Sequence, residues 1–265
     1  TQAGFFLVPL NWHLAGAEVA YILEDSQAKV FICHEKTSEP SLAAINDCGF
    51  PNDKIFSLGH VEGIKTYEDL IENQSSAMPD ERSVGAVMFY TSGTTGRPKG
   101  VVHTQSSLLA GGWTTSTAHE LGPKDRGFCV LPIYHINGLC VSVMGSLVSG
   151  GSIVMCPKFS ASKFWQVASD QKITWFSVVP TIISHLLHGA SEPDDETKER
   201  IRFGRSASSA LAPEVQSAFE ARFDVPIVET MGLTETAAQI LSNPLPPGVR
   251  KIGSPGIAFG NEVAI

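Results

Sequence analysis

The sequence has no C-x-x-C pair. Its five cysteines, Cys33, Cys48, Cys129, Cys140 and Cys156, are scattered over 265 residues. That spacing fits a reducing, cytoplasmic compartment better than a disulfide scaffold. Positive charge is also short. Lysine and arginine number 19 against 27 acidic residues, a formal net charge of −8. A nucleic-acid footprint needs a basic face, so no nucleic-acid partner is expected. A polyphosphate would have to be held by a local site. No apolar run is long enough for a transmembrane segment. The longest candidate, Gly138 to Val148, is too short. Neither a signal peptide, a repeat nor a low-complexity tract is visible.

Hydrophobic residues make up 43% of the chain, enough for a sizeable core. The length accommodates two subdomains. The division is expected at a polar linker, Ser75 to Ser83, giving parts 1–83 and 84–265. The chain opens on Thr1 without methionine and closes on Val263-Ala264-Ile265, which reads as a strand. On these ends it reads as a piece of a longer protein.

Strand and helix patterns alternate, which implies an α/β fold of parallel βαβ units. Gly4 to Leu10 reads as a short buried strand, and Asn11 as the cap of a helix to about Leu23. Later strands are expected at 29–33, 54–58, 84–90, 101–102, 127–131, 152–155, 174–178, 201–206 and 225–229. Helices are expected at 40–48, 67–73, 104–120, 161–169, 180–188 and 213–222. Ile136 to Ser149 is helix-like and apolar nearly all round, so it is expected to be buried. Ala190 to Arg200 reads as a solvated loop and helix start. Ligands of such folds sit in loops at strand ends.

The most informative loop runs from Tyr90 to Gly100, between two strand patterns. It holds Thr91, Ser92, Gly93, Thr94, Thr95, Gly96 and Lys99. Glycines let backbone approach a ligand, successive N–H groups cradle an anion, and lysine adds charge. The residues read as a polyphosphate loop, although composition alone suits a turn-rich hairpin connection equally. A Walker A loop is excluded, because Pro98 stands where its second glycine would be.

Three further stretches carry chemistry. Leu131-Pro132-Ile133-Tyr134-His135-Ile136-Asn137-Gly138 places a histidine at a strand end, where a structural role is the commoner one. Ser206-Ala207-Ser208-Ser209-Ala210-Leu211 puts small residues where a flat ring could lie on backbone, and also suits a tight strand-to-helix turn. Glu229-Thr230-Met231-Gly232-Leu233-Thr234-Glu235 offers a hydroxyl and a carboxylate after a strand. The carboxylate suits Mg²⁺, and a helix cap is the plain alternative.

As strings, these four segments in this order resemble the motifs of the adenylate-forming superfamily, which includes acyl-CoA synthetases, peptide-synthetase adenylation domains and luciferases. Lys251-Ile252-Gly253-Ser254-Pro255-Gly256 resembles the segment that follows the fourth motif. The resemblance runs from Pro9 onward and covers about half of a family member. It implies the mixed, mostly parallel sheets flanked by helices of an incomplete acyl-CoA synthetase-like large domain. The ribose-binding Thr-Gly-Asp and the small carboxyl-terminal domain are not in the chain, so little ligase activity is expected of it alone.

The resemblance also implies roles. Thr91, Ser92, Gly93, Thr94, Thr95, Gly96 and Lys99 would meet the β- and γ-phosphates of ATP. Thr234 would meet the α-phosphate, and Glu235 would hold Mg²⁺. Ser208, Ser209, Ala210, Thr230, Met231, Gly232 and Leu233 would lie on the nucleotide side. His135, Asn137, Gly138, Ala207, Ser208 and Met231 would line the acyl pocket. The catalytic set is His135, Thr234, Glu235 and Lys99. Ala207, Ser208, Ala210 and Met231 depart from the residues usual at their positions.

Amino-acid-activating relatives carry an aspartate after the aromatic residue of the second motif. Here His135-Ile136-Asn137 holds no acid, so an uncharged acyl or aryl acid is the expected substrate. Phe159 to Trp165 looks most like the fatty-acid and carnitine-CoA ligase type. The implied reaction forms acyl-AMP from a small carboxylic acid and ATP, then transfers the acyl group to coenzyme A. The alternatives are an aryl-acid adenylating enzyme that loads a carrier protein and a non-catalytic nucleotide-binding fragment.

Overall fold

The structure is a computed structural model and describes residues 3–78, 80–91 and 96–264. Contacts divide the chain into two compact units, Thr1–Val102 and His103–Ile265.

The first unit contains β1 (Phe6–Leu7), α1 (Gly16–Asp25), β2 (Phe31–His34), α2 (Ser38–Asp47), β3 (Ile55–Leu58), β4 (Lys65–Thr66), α3 (Tyr67–Ile71) and β5 (Ala86–Thr91). A further strand, β6 (Lys99–Thr104), runs on into the second unit. Strands β2, β3 and β4 form a parallel sheet in that order. Along β2 burial alternates, with Phe31 and Cys33 inward and Ile32 and His34 outward. That period of two lets one face pack on Val19, Leu23, Ala44 and Ile45 of α1 and α2.

A second sheet has the order β1-β5-β6. Parallel pairing of Phe6 with Ala86 and Leu7 with Val87 ties the loop strand to the amino-terminal part. The division in contacts therefore follows Val102, whereas the linker composition placed it at 83/84.

Two amino-terminal expectations are corrected. Phe5, Phe6 and Leu7 are 68%, 55% and 56% exposed, not buried. β1 is a two-residue edge strand, and nothing among the described residues covers it. Helix α1 starts after Ala15 rather than Asn11. The Glu18 carboxylate accepts from the Ala15 N–H at 2.9 Å, while Asn11 Oδ1 accepts from the His13 N–H in a local turn. A short amide side chain readily makes such a turn instead of a cap.

The second unit contains α4 (Gln105–Ala118), β7 (Arg126–Cys129), a π-helical segment (Asn137–Met144), α5 (Gly145–Val148), β8 (Ser152–Met155), α6 (Ala161–Asp170), β9 (Trp175–Val178), α7 (Pro180–Gly189), α8 (Asp195–Arg200), β10 (Phe203–Ser206), α9 (Pro213–Phe223), β11 (Ile227–Gly232), β12 (Gln239–Ser242) and β13 (Ile257–Ala258). Its seven-stranded sheet has the order β13-β12-β11-β10-β9-β7-β8. The strands from β11 to β8 are parallel, and β12 and β13 are antiparallel additions. This is the expected mixed, mostly parallel architecture. Val263 and Ala264 lie outside any strand, contrary to expectation, and Ile265 lies outside the described residues. The edge pairing stops at Ala258, and the chain turns at Gly260, whose φ is +72°.

One face of this sheet is apolar. Phe164, Phe176, Ile183, Leu186, Phe219 and Phe223 are buried among α6, α7, α9 and the strands. Burying a side chain of that size contributes about 1.5–3 kcal/mol. The opposite face carries polar groups. Ser177 on β9 and Arg205 on β10 are register partners, and both are buried. The expected buried helix at 136–149 is present, but its first part is π-helical. Such widened turns are frequent at functional sites. Among the described residues no helix is long and apolar enough to cross a membrane.

Candidate functional site

In the first unit, β5 and β6 deliver the two limbs of the glycine-rich loop. Thr91 is half-buried and ends β5. The expectations for Ser92, Gly93, Thr94 and Thr95 lie outside the described residues. Gly96 has φ +107°, and a Cβ there would meet nothing within 4 Å, so conformation rather than crowding calls for glycine. Lys99 is exposed and makes no ion pair among the described residues.

Helix α1 holds both limbs. Tyr21 donates its hydroxyl to the Pro98 carbonyl at 2.9 Å, and the Arg97 guanidinium lies 5.6 Å from the centre of the Tyr21 ring. Tyr90 donates to Asp25 Oδ2 at 2.6 Å. Burial, with the Asp25 carboxylate, pushes the Tyr90 phenol above its ordinary range, so it remains a donor. A cleft of about 590 Å³ between α1 and Gly96–Pro98 has Glu18, Glu24 and Asp47 on its wall. Those carboxylates suit it poorly to phosphate.

In the second unit, the Thr104 side chain caps α4 by accepting from the Ser107 N–H at 3.0 Å. Just before it, His103 is buried and reaches the fourth motif. Its Nε2 lies 2.6 Å from the Thr234 carbonyl and its Nδ1 lies 3.1 Å from Ser107 Oγ. A carbonyl oxygen only accepts, so Nε2 carries the proton. The motif itself is a tight turn, Thr234–Thr236, closed by Thr236 Oγ1 on both backbone groups of Leu233. Thr234 is half-buried, and Glu235 is exposed with no ion pair among the described residues. A free carboxylate beside a hydroxyl fits a Mg²⁺ that takes its remaining ligands from phosphate and water.

Upstream, Thr230 is buried, while Met231 and Leu233 are 41% and 52% exposed. A Cβ on Gly232 would come within 2.3 Å of the Ala238 carbonyl oxygen, so only glycine fits the start of the turn.

The small-residue segment is exposed at Ser208, Ser209 and Ala210. Ser208 has φ +77°, a strained conformation for a residue with a Cβ. It is held there by Asn137 Nδ2, which donates to Ser208 Oγ at 3.2 Å. Ala207 and Leu211 on either side are buried. The Leu211 N–H donates to Glu229 Oε1 at 3.0 Å. Glu229 is thus a buried brace beneath the segment.

The second motif forms a turn and then the π-helical segment. His135 is exposed, and its ring has no hydrogen-bond partner among the described residues. It lies 4.7 Å from the Tyr134 ring. Surrounding protein mass holds its pKa below the ordinary histidine range, so it is neutral at pH 7. Gly138 is packed against the turn, where a Cβ would come within 2.2 Å of the Pro132 carbonyl oxygen. Asn137 is buried, and its Oδ1 accepts from Arg205 Nη1 at 2.8 Å and from Ser177 Oγ at 3.3 Å.

The second unit therefore gathers one polar group from the π-helical segment, β9, β10 and the Ser208 segment. Sequence reasoning missed His103, Arg205 and the bracing role of Glu229. Buried charged or polar residues inside apolar strand patterns were the available signal, since such groups need a reason to be there.

Over residues 1–265 the chain matches the family model described as AMP-binding enzyme. It is 41% identical over 262 residues to a sulfoacetate–CoA ligase of Cupriavidus necator, covering 99% of this chain and 51% of that protein. It is 32% identical over 273 residues to an oxalate–CoA ligase of Arabidopsis thaliana, covering 97% and 51%. Its fold is similar to that of ATP-bound MatB from Rhodopseudomonas palustris, with a TM-score of 0.80 and 26% identity over 98% of this chain and 55% of that one. The chain spans about half the length of the curated relatives it matches.

Proposed function

The chain belongs to the AMP-binding enzyme family, and from that membership we propose that the protein joins a short carboxylic acid to AMP and passes the acyl group to coenzyme A. The observation that carries this reading is the Thr234–Glu235 turn. It presents a hydroxyl and a carboxylate that is unpaired among the described residues, while a buried histidine holds its backbone. The relatives' names support coenzyme A as acceptor over a carrier protein.

In the proposed reaction a carboxylate oxygen of the acid attacks the α-phosphorus of ATP. An O–P bond forms, the bond to the β-phosphate oxygen breaks, and pyrophosphate leaves with the electron pair. The coenzyme A thiol, after losing its proton, then attacks the acyl carbon and AMP departs. No protein nucleophile is needed. The protein's tasks are in-line positioning and neutralising charge.

Thr91, Ser92, Thr94, Thr95 and Lys99 are assigned to the β- and γ-phosphates and Thr234 to the α-phosphate. Bound Mg²⁺ would neutralise phosphate charge, with Glu235 as its protein ligand. Ser208, Ser209, Ala210 and Met231 would flank adenine and acyl group. Neutral His135 would orient the acid or guide thiol entry. Sulfoacetate and oxalate, the acids in two relatives' names, are short and carry a second anionic group, and an acid of that kind is the proposed substrate. This departs from the uncharged acid expected from the second motif.

ATP–pyrophosphate exchange by the protein at its full length, over a panel of short acids, tests the reading. Exchange that depends on acid and Mg²⁺, followed by thioester formation with free coenzyme A, is expected. Nucleotide binding without exchange for any acid would contradict it.

A further inference from the structure

The central strand β10 carries a buried cation that has no counter-charge among the described residues. Arg205 is 2% exposed, and none of the chain's ion pairs among the described residues includes it. Its Nη1 donates to Asn137 Oδ1 at 2.8 Å and to Ser177 Oγ at 3.1 Å, both neutral groups, and its Nε has no partner among the described residues. The other titratable groups that interact with it do not compensate. Burial pushes the Cys140 thiol up to about 12, so it stays protonated. His119 is held neutral by burial and by Arg205 and Arg202. Burial also draws the guanidinium itself down to about 9, which still leaves it charged at neutral pH.

A buried, charged and partly unpartnered group disfavours the folded state unless something pairs with it. Perturbed groups of this kind cluster where ligands bind. The position of Arg205 agrees. Its partner Asn137 bridges directly to Ser208 at 3.2 Å, and Ser208 belongs to the strained, exposed segment assigned above to the acyl side. One side-chain amide thus links the cation to the surface that would meet the acid. The guanidinium's flat fork of donors suits a planar carboxylate or a sulfonate.

We propose that Arg205 is a specificity-determining residue that pairs with the second anionic group of a short dianionic acid, entering from the Ser208 side. This rests on the acid-activation reading above. It makes the acid's distal charge, rather than its chain length, the property that is selected.

The test uses the protein at its full length and ATP–pyrophosphate exchange with matched acids. Sulfoacetate and malonate are compared with methylsulfonylacetate and monomethyl malonate, which keep the reacting carboxylate and lose the distal charge. Wild-type protein is expected to prefer the dianion in each pair by 100-fold or more in kcat/KM. In Arg205→Met that preference should fall at least 30-fold, chiefly through KM for the dianion. Arg205→Lys should recover part of it. If Arg205→Met does not fold, Arg205→Gln, which keeps donors for Asn137 and Ser177 and loses the charge, replaces it: the same fall in preference is expected, and a preference equal to wild type would overturn the proposal.

Equal losses for both members of a pair would make Arg205 a structural brace and overturn the proposal. So would a wild-type preference for the monoanions. In either case exchange continues and the acid-activation reading stands. Absence of exchange with every acid would overturn both.

Discussion

His103 and Thr234 are joined directly, with His103 Nε2 donating to the Thr234 carbonyl oxygen at 2.6 Å. This bond fixes the backbone of a turn whose two side chains are assigned to phosphate and Mg²⁺. Replacing His103 with Phe removes one of the carbonyl's two donors and leaves the Ala237 N–H at 3.2 Å, a loss of about 0.5–1.5 kcal/mol. We expect KM for MgATP to rise by about tenfold in His103→Phe, the effect of about 1.4 kcal/mol of lost positioning. His103→Gln, which can still donate, should recover part of it. An unchanged KM with lowered thermal stability would make His103 purely structural.

Glu235 and Glu229 separate function from support within one motif. Glu235 is exposed and unpaired among the described residues, whereas Glu229 is buried and accepts from the Leu211 N–H. Glu235→Gln is expected to raise the Mg²⁺ concentration needed for half-maximal exchange, with melting unchanged within about 0.5 kcal/mol. Glu229→Gln keeps an acceptor for Leu211 and should leave the Mg²⁺ requirement nearly as it is. Equal Mg²⁺ titrations for wild type and Glu235→Gln would remove Glu235 from the metal.

Much of this arrangement was legible because local chemistry agrees with tertiary context. The Thr104 cap, Pro180 and Pro213 at helix starts, and β-branched or aromatic strands all appear where their physics places them. β12 and β13 were not read, because Gln239–Ser242 and Ile257–Ala258 are short and mixed, and only pairing with β11 makes them strands. The Asn11 cap failed because a second acceptor, Glu18, lay one turn on. At the site, motifs located the exposed groups, while His103, Arg205 and Glu229 act through contacts across 131, 68 and 18 residues of chain. No local pattern encodes such pairs.

His135 is expected to be dispensable for folding. Its ring makes no hydrogen bond among the described residues, so His135→Ala should melt within about 0.5 kcal/mol of wild type. Exchange or thioester formation should fall by tenfold or more. Because its pKa is depressed, any acid limb that it contributes to the rate should lie below the usual histidine range and vanish in the variant. A stability loss with both half-reactions intact would assign the residue to structure.

His119 should make stability depend on pH. It is fully buried, beside Phe203, with Nδ1 unpartnered among the described residues, and burial and the two arginines, Arg205 and Arg202, depress its pKa. The unfolded chain takes up the proton near pH 6.5, while the folded chain resists it. The stabilisation is therefore full above about pH 6.5 and is lost as pH falls toward and through the depressed folded value. His119→Gln should flatten that part of the profile in urea titrations. An unaltered slope would mean that His119 takes up its proton in the folded chain as readily as in the unfolded one.

The most direct test of acid activation follows oxygen atoms. The protein at its full length is given ATP, Mg²⁺, coenzyme A and sulfoacetate labelled with ¹⁸O in both carboxylate oxygens, and the AMP is weighed by mass spectrometry. Attack by the carboxylate on the α-phosphorus predicts one ¹⁸O in each AMP formed, with unlabelled pyrophosphate. Unlabelled AMP, or ADP with labelled inorganic phosphate, would contradict it.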